Sequence, residues 1–201
     1  MNTCYTVITK GYDELKPCPE SRGWEYIVFT DSFIDVHPWR CVITDKHNRE
    51  LKLRPQGELF NNLTLYVDGS IQITGDLNQF CSEVPQFYTA WKHPHRDTVR
   101  QEASAVVRLK GCDKTQVKEQ IDRYRDAGWR DNMGLAACGV LLRDLSDKSV
   151  RDINHTWYRE WKNSCGRDQL SFMYSFWRSG YAPDLFGNDI FNKYFKWGKH
   201  L

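Results

Sequence analysis

Short β-branched and aliphatic runs punctuate the first half of the chain, and helical stripes fill the second. Tyr5 to Thr9 is apolar and is followed by Gly11, which predicts a buried strand with a tight turn after it. Glu25 to Thr30, ending on Asp31, predicts a second strand, and Trp39 to Thr44 a third. Leu63, Leu65 and Val67 alternate into Asp68-Gly69-Ser70, and Ile71 and Ile73 continue beyond that turn. Further on, Val99, Ala103, Val106 and Val107 form a helical stripe. Asp113 and Gln116 cap a second helix carrying Val117, Ile121 and Tyr124 and ending at Gly128. Ala136 to Leu142 reads as a small-residue strand, with Gly134 and Gly139 giving close backbone approach. Val150, Ile153, Trp157 and Trp161 mark one more helix, and Leu170, Met173, Tyr174 and Trp177 another, closed by Gly180. The tail from Tyr181 is aromatic and basic without clear periodicity. Strands with open connections and then helices predict an α/β protein with a mostly parallel central sheet flanked by helices. With no repeat, linker or low-complexity segment, one domain over residues 1–201 is expected.

Composition narrows the class. Hydrophobic residues make up 40% of the chain and charged residues 27%, a globular balance that argues against disorder. A formal net charge of +2, from 28 basic and 26 acidic residues, argues against a general nucleic-acid surface. It leaves room for a basic pocket around one small anion. Seven Cys at irregular spacing, with no C-x-x-C, indicate neither a disulfide framework nor a zinc site. Residues 1–6 do not read as a signal peptide, and no run of about 18 apolar residues predicts a membrane span, so a cytoplasmic setting is expected. Aromatic residues, 14% of the chain, serve the core and also suit the apolar faces of sugars and bases.

The candidate chemistry lies at strand ends, where open α/β sheets bind ligands. Asp68 ends a strand and is followed by Gly69 and Ser70. A carboxylate there can hold a divalent metal that neutralises a departing diphosphate, and glycine lets phosphate approach the backbone. Asp-Gly at a strand end is also an ordinary hairpin turn. Tyr12 is placed to stack on a nucleobase, Thr9 or Asp13 to bond its edge, and Asp31 to accept from ribose hydroxyls. Lys52 and Arg54 are candidates for phosphate. Turn polarity and a solvated charged face are the plainer alternatives for these residues. His93-Pro94-His95-Arg96 resembles a metal pair but lacks Cys or acidic neighbours, and reads instead as a loop near acceptor or phosphate.

The segments Tyr5–Asp13, Tyr26–Asp31, Val67–Ile71 and Gly134–Arg143 are followed by Trp157, Trp161 and Ser164–Phe172. In this order, over roughly residues 5 to 180, they resemble a glycosyltransferase family first catalogued as a domain of unknown function. That family is associated with plant mucilage and pectin and has bacterial and algal-virus relatives. The resemblance implies a single-domain GT-A (Rossmann-like) fold, a UDP-sugar donor, a glycan hydroxyl as acceptor, and Mn²⁺ or Mg²⁺. The sugar moved would be a hexose or deoxyhexose, with glucose, galactose and rhamnose all open. Asp68 matches the acidic metal or diphosphate motif, and Asp168 and Gln169 match a later pair that faces donor sugar and acceptor. Related folds also use a C-terminal His, which would make His200 a second metal ligand. Ser70 stands where many such enzymes carry a second carboxylate, a departure that weakens the metal site. Asp168 is predicted to begin a helix, whose dipole keeps a carboxylate ionised. It would act as base in an inverting enzyme and bind sugar hydroxyls in a retaining one. A non-catalytic nucleotide- or glycan-binding module is the alternative from another class. A metal-dependent nuclease is disfavoured by the charge balance.

Overall fold

The computed structural model of the chain describes residues 1–55, 57, 59 and 63–198. In chain order the first half carries β1 (Asn2–Ile8), β2 (Trp24–Thr30), β3 (Arg40–Ile43), α1 (Asn48–Leu53), β4 (Leu63–Val67) and β5 (Ile71–Ile73). Then follow α2 (Leu77–Glu83), β6 (Tyr88–Lys92), α3 (Val99–Lys110), α4 (Lys114–Asp126) and β7 (Ala136–Asp144). The chain continues with α5 (Lys148–Lys162), α6 (Asp168–Arg178), β8 (Asp184–Phe186), α7 (Asn188–Tyr194) and β9 (Phe195–Trp197).

A seven-stranded sheet in the order β3-β2-β1-β4-β7-β6-β8 forms the middle layer. Its first four strands are mutually parallel, β7 runs antiparallel to β4 and β6, and β8 is parallel to β6. Both faces are covered, which is why the strands are near-continuously apolar. Period-two alternation divides each strand between two cores. Tyr5, Val7, Tyr66 and Leu141 pack beneath α3 to α6, whereas Cys4, Ile8, Leu65, Val67 and Leu142 pack with α2 and α7 on the other face. Several helices start where a side chain satisfies free N–H groups. Thr98, Asp113 and Asp147 accept backbone hydrogen bonds at the starts of α3, α4 and α5.

One expectation about β5 is changed. Ile71 and Ile73 do not return along β4 as a hairpin but leave the main sheet and pair with β9 in a separate two-stranded sheet. The turn at Asp68 therefore redirects the chain away from β4, with the Ile71 N–H donating to the Asp68 carbonyl at 2.8 Å. Among the described residues no helix is long and apolar enough to cross a membrane.

Candidate active site

The parallel strands β1, β2 and β4 end on the same edge of the sheet, so the segments after Ile8, Thr30 and Val67 meet there. After β1, Lys10 and Gly11 take left-handed backbone angles, φ 60° and 61°, and turn the chain so that Tyr12 stands more than half exposed. The Asp31 carboxylate accepts the Lys10 N–H at 2.8 Å and fixes this turn. Beside Asp68, Gly69 is obligatory on packing grounds: a Cβ there would lie 2.8 Å from that of Asp13 and 2.9 Å from Ile8 Cγ1. Gly139 of β7 is equally crowded, since its Cβ would meet Ile71 Cδ1 at 2.8 Å and Asp68 Oδ2 at 3.3 Å.

Two cavities adjoin along this edge. Thr9, Lys10, Asp31 and the segment 44–47 line the outer one, and Tyr12, Asn48 and Arg49 are shared with the inner. The inner cavity holds Asp13, Lys52, Tyr66, Asp68, Gly69, Lys110, Arg167, Asp168 and Gln169. At its floor the buried Lys52 ammonium lies 2.7 Å from Asp168 Oδ2 and 3.5 Å from Asp68 Oδ1. Arg49 Nε is 3.5 Å from Asp168 Oδ1, and the Tyr66 hydroxyl donates to Asp68 Oδ1 at 2.5 Å. Burial works to raise the pKa of Asp168, but Lys52 and Arg49 outweigh it and hold the carboxyl well below its usual range. For Lys52 burial works to lower the pKa, and Asp168 with Asp68 outweighs it, so the ammonium is held above its ordinary value. Both groups are therefore charged at neutral pH.

The ion pair does not exhaust the site. Asp168 Oδ2 is held by the Lys52 ammonium, whereas Arg167 Nε is buried without a hydrogen-bond partner among the described residues. Buried polar atoms rarely stay unpaired, so Arg167 Nε is a donor available to a ligand. Four cationic side chains, Arg49, Lys52, Lys110 and Arg167, face three carboxylates, Asp13, Asp68 and Asp168, a surplus that suits an anion.

The structure thus gathers Tyr12, Asp13, Asp68, Gly69, Asp168 and Gln169 in one cavity, with Thr9 and Asp31 in its neighbour. Ser70 is buried on a further lobe that shares Asp68. Arg54 is not brought to the site. It is exposed past the end of α1, with its guanidinium 5.5 Å from the Tyr158 ring. Lys52, two residues earlier, points inward instead, because two residues turn the side-chain direction by roughly half a helical turn. His200 lies outside the described residues. Nothing in the local sequence separates Arg49, Lys110 and Tyr66 from surface charge or core aromatics, while Arg167 precedes Asp168 within the Ser164–Phe172 segment and is not singled out there.

The fit to a divalent metal is incomplete. Among the described residues no group of three or more His, Cys, Asp or Glu side chains is placed to hold one. Asp68 Oδ1 is already engaged by Tyr66 and Lys52, which leaves Oδ2 and the Ser70 hydroxyl. These described residues do not by themselves make a metal site.

Strand order and the single reversed strand define a mixed α/β fold with a mostly parallel sheet, and a charged cavity lies at the sheet edge. The profile of one family, the TOD1/MUCI70 glycosyltransferase-like domain, matches residues 59–200. The chain belongs to that family. No curated protein matches it. Among solved structures it is similar to the apo form of WbbM, a bifunctional glycosyltransferase, with a TM-score of 0.51 and 12% identity. The similarity covers 90% of this chain and 38% of that one, and at such identity it is a likeness of fold.

Proposed function

We propose that the chain transfers a hexose or deoxyhexose from a UDP-sugar to a glycan hydroxyl. The observation that carries this reading is the buried Lys52–Asp168 ion pair beside Asp68, open to a cavity with surplus cations and an unpaired buried guanidinium nitrogen on Arg167. Uracil and ribose would occupy the outer cavity, with Tyr12 against the base. The diphosphate would lie over Gly69, facing Arg49, Lys52, Lys110 and Arg167.

In the reaction, the acceptor oxygen bonds to the anomeric carbon while the bond from that carbon to the diphosphate breaks. The electron pair leaves with UDP, and the acceptor proton passes to the departing diphosphate or to solvent. These cations would stabilise the charge that develops on the leaving group, with Lys52 pre-oriented by burial and Arg49 by its ion pair with Asp168. Asp168, ionised and paired with Lys52, is a weak proton acceptor because its pKa is depressed. Its role in this proposal is to hold a donor-sugar hydroxyl through Oδ2 and to stabilise positive charge at the anomeric carbon. Gln169 stands beside it on the acceptor side.

The test is a thermal melt with UDP, ADP and GDP, followed by UDP release from UDP-glucose, UDP-galactose and UDP-rhamnose. UDP at 100 times its dissociation constant should add about 2.7 kcal/mol of stability, with smaller shifts for the purines. Equal or absent shifts, with no release from any donor, would overturn the reading. UDP binding without turnover would favour the non-catalytic module.

A further inference from the structure

The inner cavity continues away from the nucleotide side, and its chemistry changes as it does so. Asp68, Arg167 and Gln169 also line a lobe bounded by His93, Trp91 and Trp197. That lobe opens, past the shared Trp91, Pro94 and Trp197, into a cleft lined by His95, Asn188 and Asn192. The lobe still carries Arg96, Lys110 and Arg167, whereas indoles, amides and an imidazole line the cleft beyond it, beside Lys196.

Trp197 is 53% exposed, an unusual position for the largest apolar side chain. It is nevertheless firmly placed. Its backbone pairs with Ile71 across β5 and β9, and the Gly198 N–H donates to the Ser70 carbonyl at 2.8 Å. Those bonds register the indole directly to the turn that carries Asp68. Trp91 meets it edge-on, with centroids 5.6 Å apart at 88°, and is itself stacked on Phe191 at 3.9 Å. Trp91 Nε1 donates to Asn188 Oδ1 at 3.0 Å, which leaves the Asn188 amide hydrogens for another acceptor.

We infer that this aromatic arm is the acceptor subsite and that it takes a glycan chain, whose terminal residue reaches Asp68 and Gln169. The inference rests on the transferase reading and adds the place and chemistry of the second substrate. A pyranose presents an apolar face to an indole and equatorial hydroxyls to amides, and the Trp197–Asn188–Asn192 wall offers both. Arg96, Lys110 and Arg167 line the lobe next to Asp68 and Lys196 the cleft beyond it, so acidic as well as neutral glycans find polar partners there.

The experiment uses the full chain on an array of neutral and acidic oligosaccharides, alongside UDP melts. Wild type should be retained by at least one oligosaccharide class. Trp197→Ala and Asn192→Ala should each lower retention by about tenfold or more, a loss of 1.4 kcal/mol or more, with the UDP melting shift unchanged. Trp197→Phe should recover part of the binding, which separates loss of the platform from misfolding. Retention that is absent in wild type, or unaffected by these changes, overturns the inference. Loss of the UDP shift in Trp197→Ala also overturns it, because the nucleotide would then occupy the aromatic arm. If glycan retention depends on Trp197 but no UDP-sugar is turned over, the transferase reading fails and the subsite stands.

Discussion

Asp168 shows how one position carries both structural and chemical weight. It is the first residue of α6, yet its carboxylate serves Lys52 rather than its own helix, which has no side-chain cap. Replacing it with Asn should lower transfer by about 10²- to 10³-fold, the scale of removing one pre-set electrostatic group. UDP binding should persist, since base and diphosphate contact other residues. Stability should fall as well, by about 3–5 kcal/mol at most, because Lys52 is left buried with only Asp68 nearby. Rate and melt measured on the same variant decide the matter. A melt that drops while turnover stays within about tenfold of wild type would remove Asp168 from the chemistry. The sequence placed Asp168 correctly at a helix start, since the apolar stripe behind it is strong. It did not reveal Lys52 as its partner, because 116 residues separate them and no periodicity links their positions.

Element α1 delivers that lysine, and its placement depends on a buried arginine. Arg143 of β7 is fully buried and donates through Nη1 to the Lys52 carbonyl at 2.8 Å and through Nη2 to the Tyr5 hydroxyl. Tyr5 in turn donates to the Leu51 carbonyl at 3.3 Å. The carbonyls at the end of α1 are thereby tied to the floor of the sheet, which fixes the direction of the Lys52 side chain. Arg143→Met should leave the Lys52 carbonyl unsatisfied at about 1–3 kcal/mol. At about 2–4 °C per kcal/mol, the melt should move by several degrees. UDP affinity should weaken by roughly tenfold, and Arg143→Lys should restore part of it. Unchanged UDP affinity in the methionine variant, measured by calorimetry, would show that Arg143 serves folding alone. Helices α3 to α6 were legible because each spans three turns or more and shows an apolar stripe. Six-residue α1 is too short for such a stripe, and α7 and β9 lie in a tail whose aromatics face several directions.

For the whole molecule, the buried ionisable groups set opposite limits on stability with pH. Burial, with Arg96 and His95 nearby, pushes the His93 pKa from 6.5 down to about 4. The unfolded chain therefore binds more protons between those values, and stability falls as pH drops through that window. Asp168, with its pKa depressed, contributes stability above the ordinary carboxylate range and loses it only in stronger acid. Lys52, with its pKa raised, contributes below the ordinary lysine range and loses it in strong alkali. The melting temperature should be level from about pH 6.5 to the ordinary cysteine range and decline first on the acid side. Above the cysteine range, burial of the Cys4, Cys18, Cys81 and Cys138 thiols costs stability. His93→Gln should flatten the decline between pH 6.5 and 4, and an identical decline in the variant would show that other groups cause it. The sequence by itself determined the layer order of this protein, since strand alternation, helical stripes and caps are local signals that each segment carries alone. It also marked the strand-end residues, because parallel strands bring their ends to one edge. Only the tertiary structure decided which charges meet, turning Lys52 inward and Arg54 outward, joining α1 to α6, and sending β5 to β9 instead of back along β4. Those outcomes depend on long-range packing and on the desolvation of charges, and neither is encoded in the pattern of any single segment.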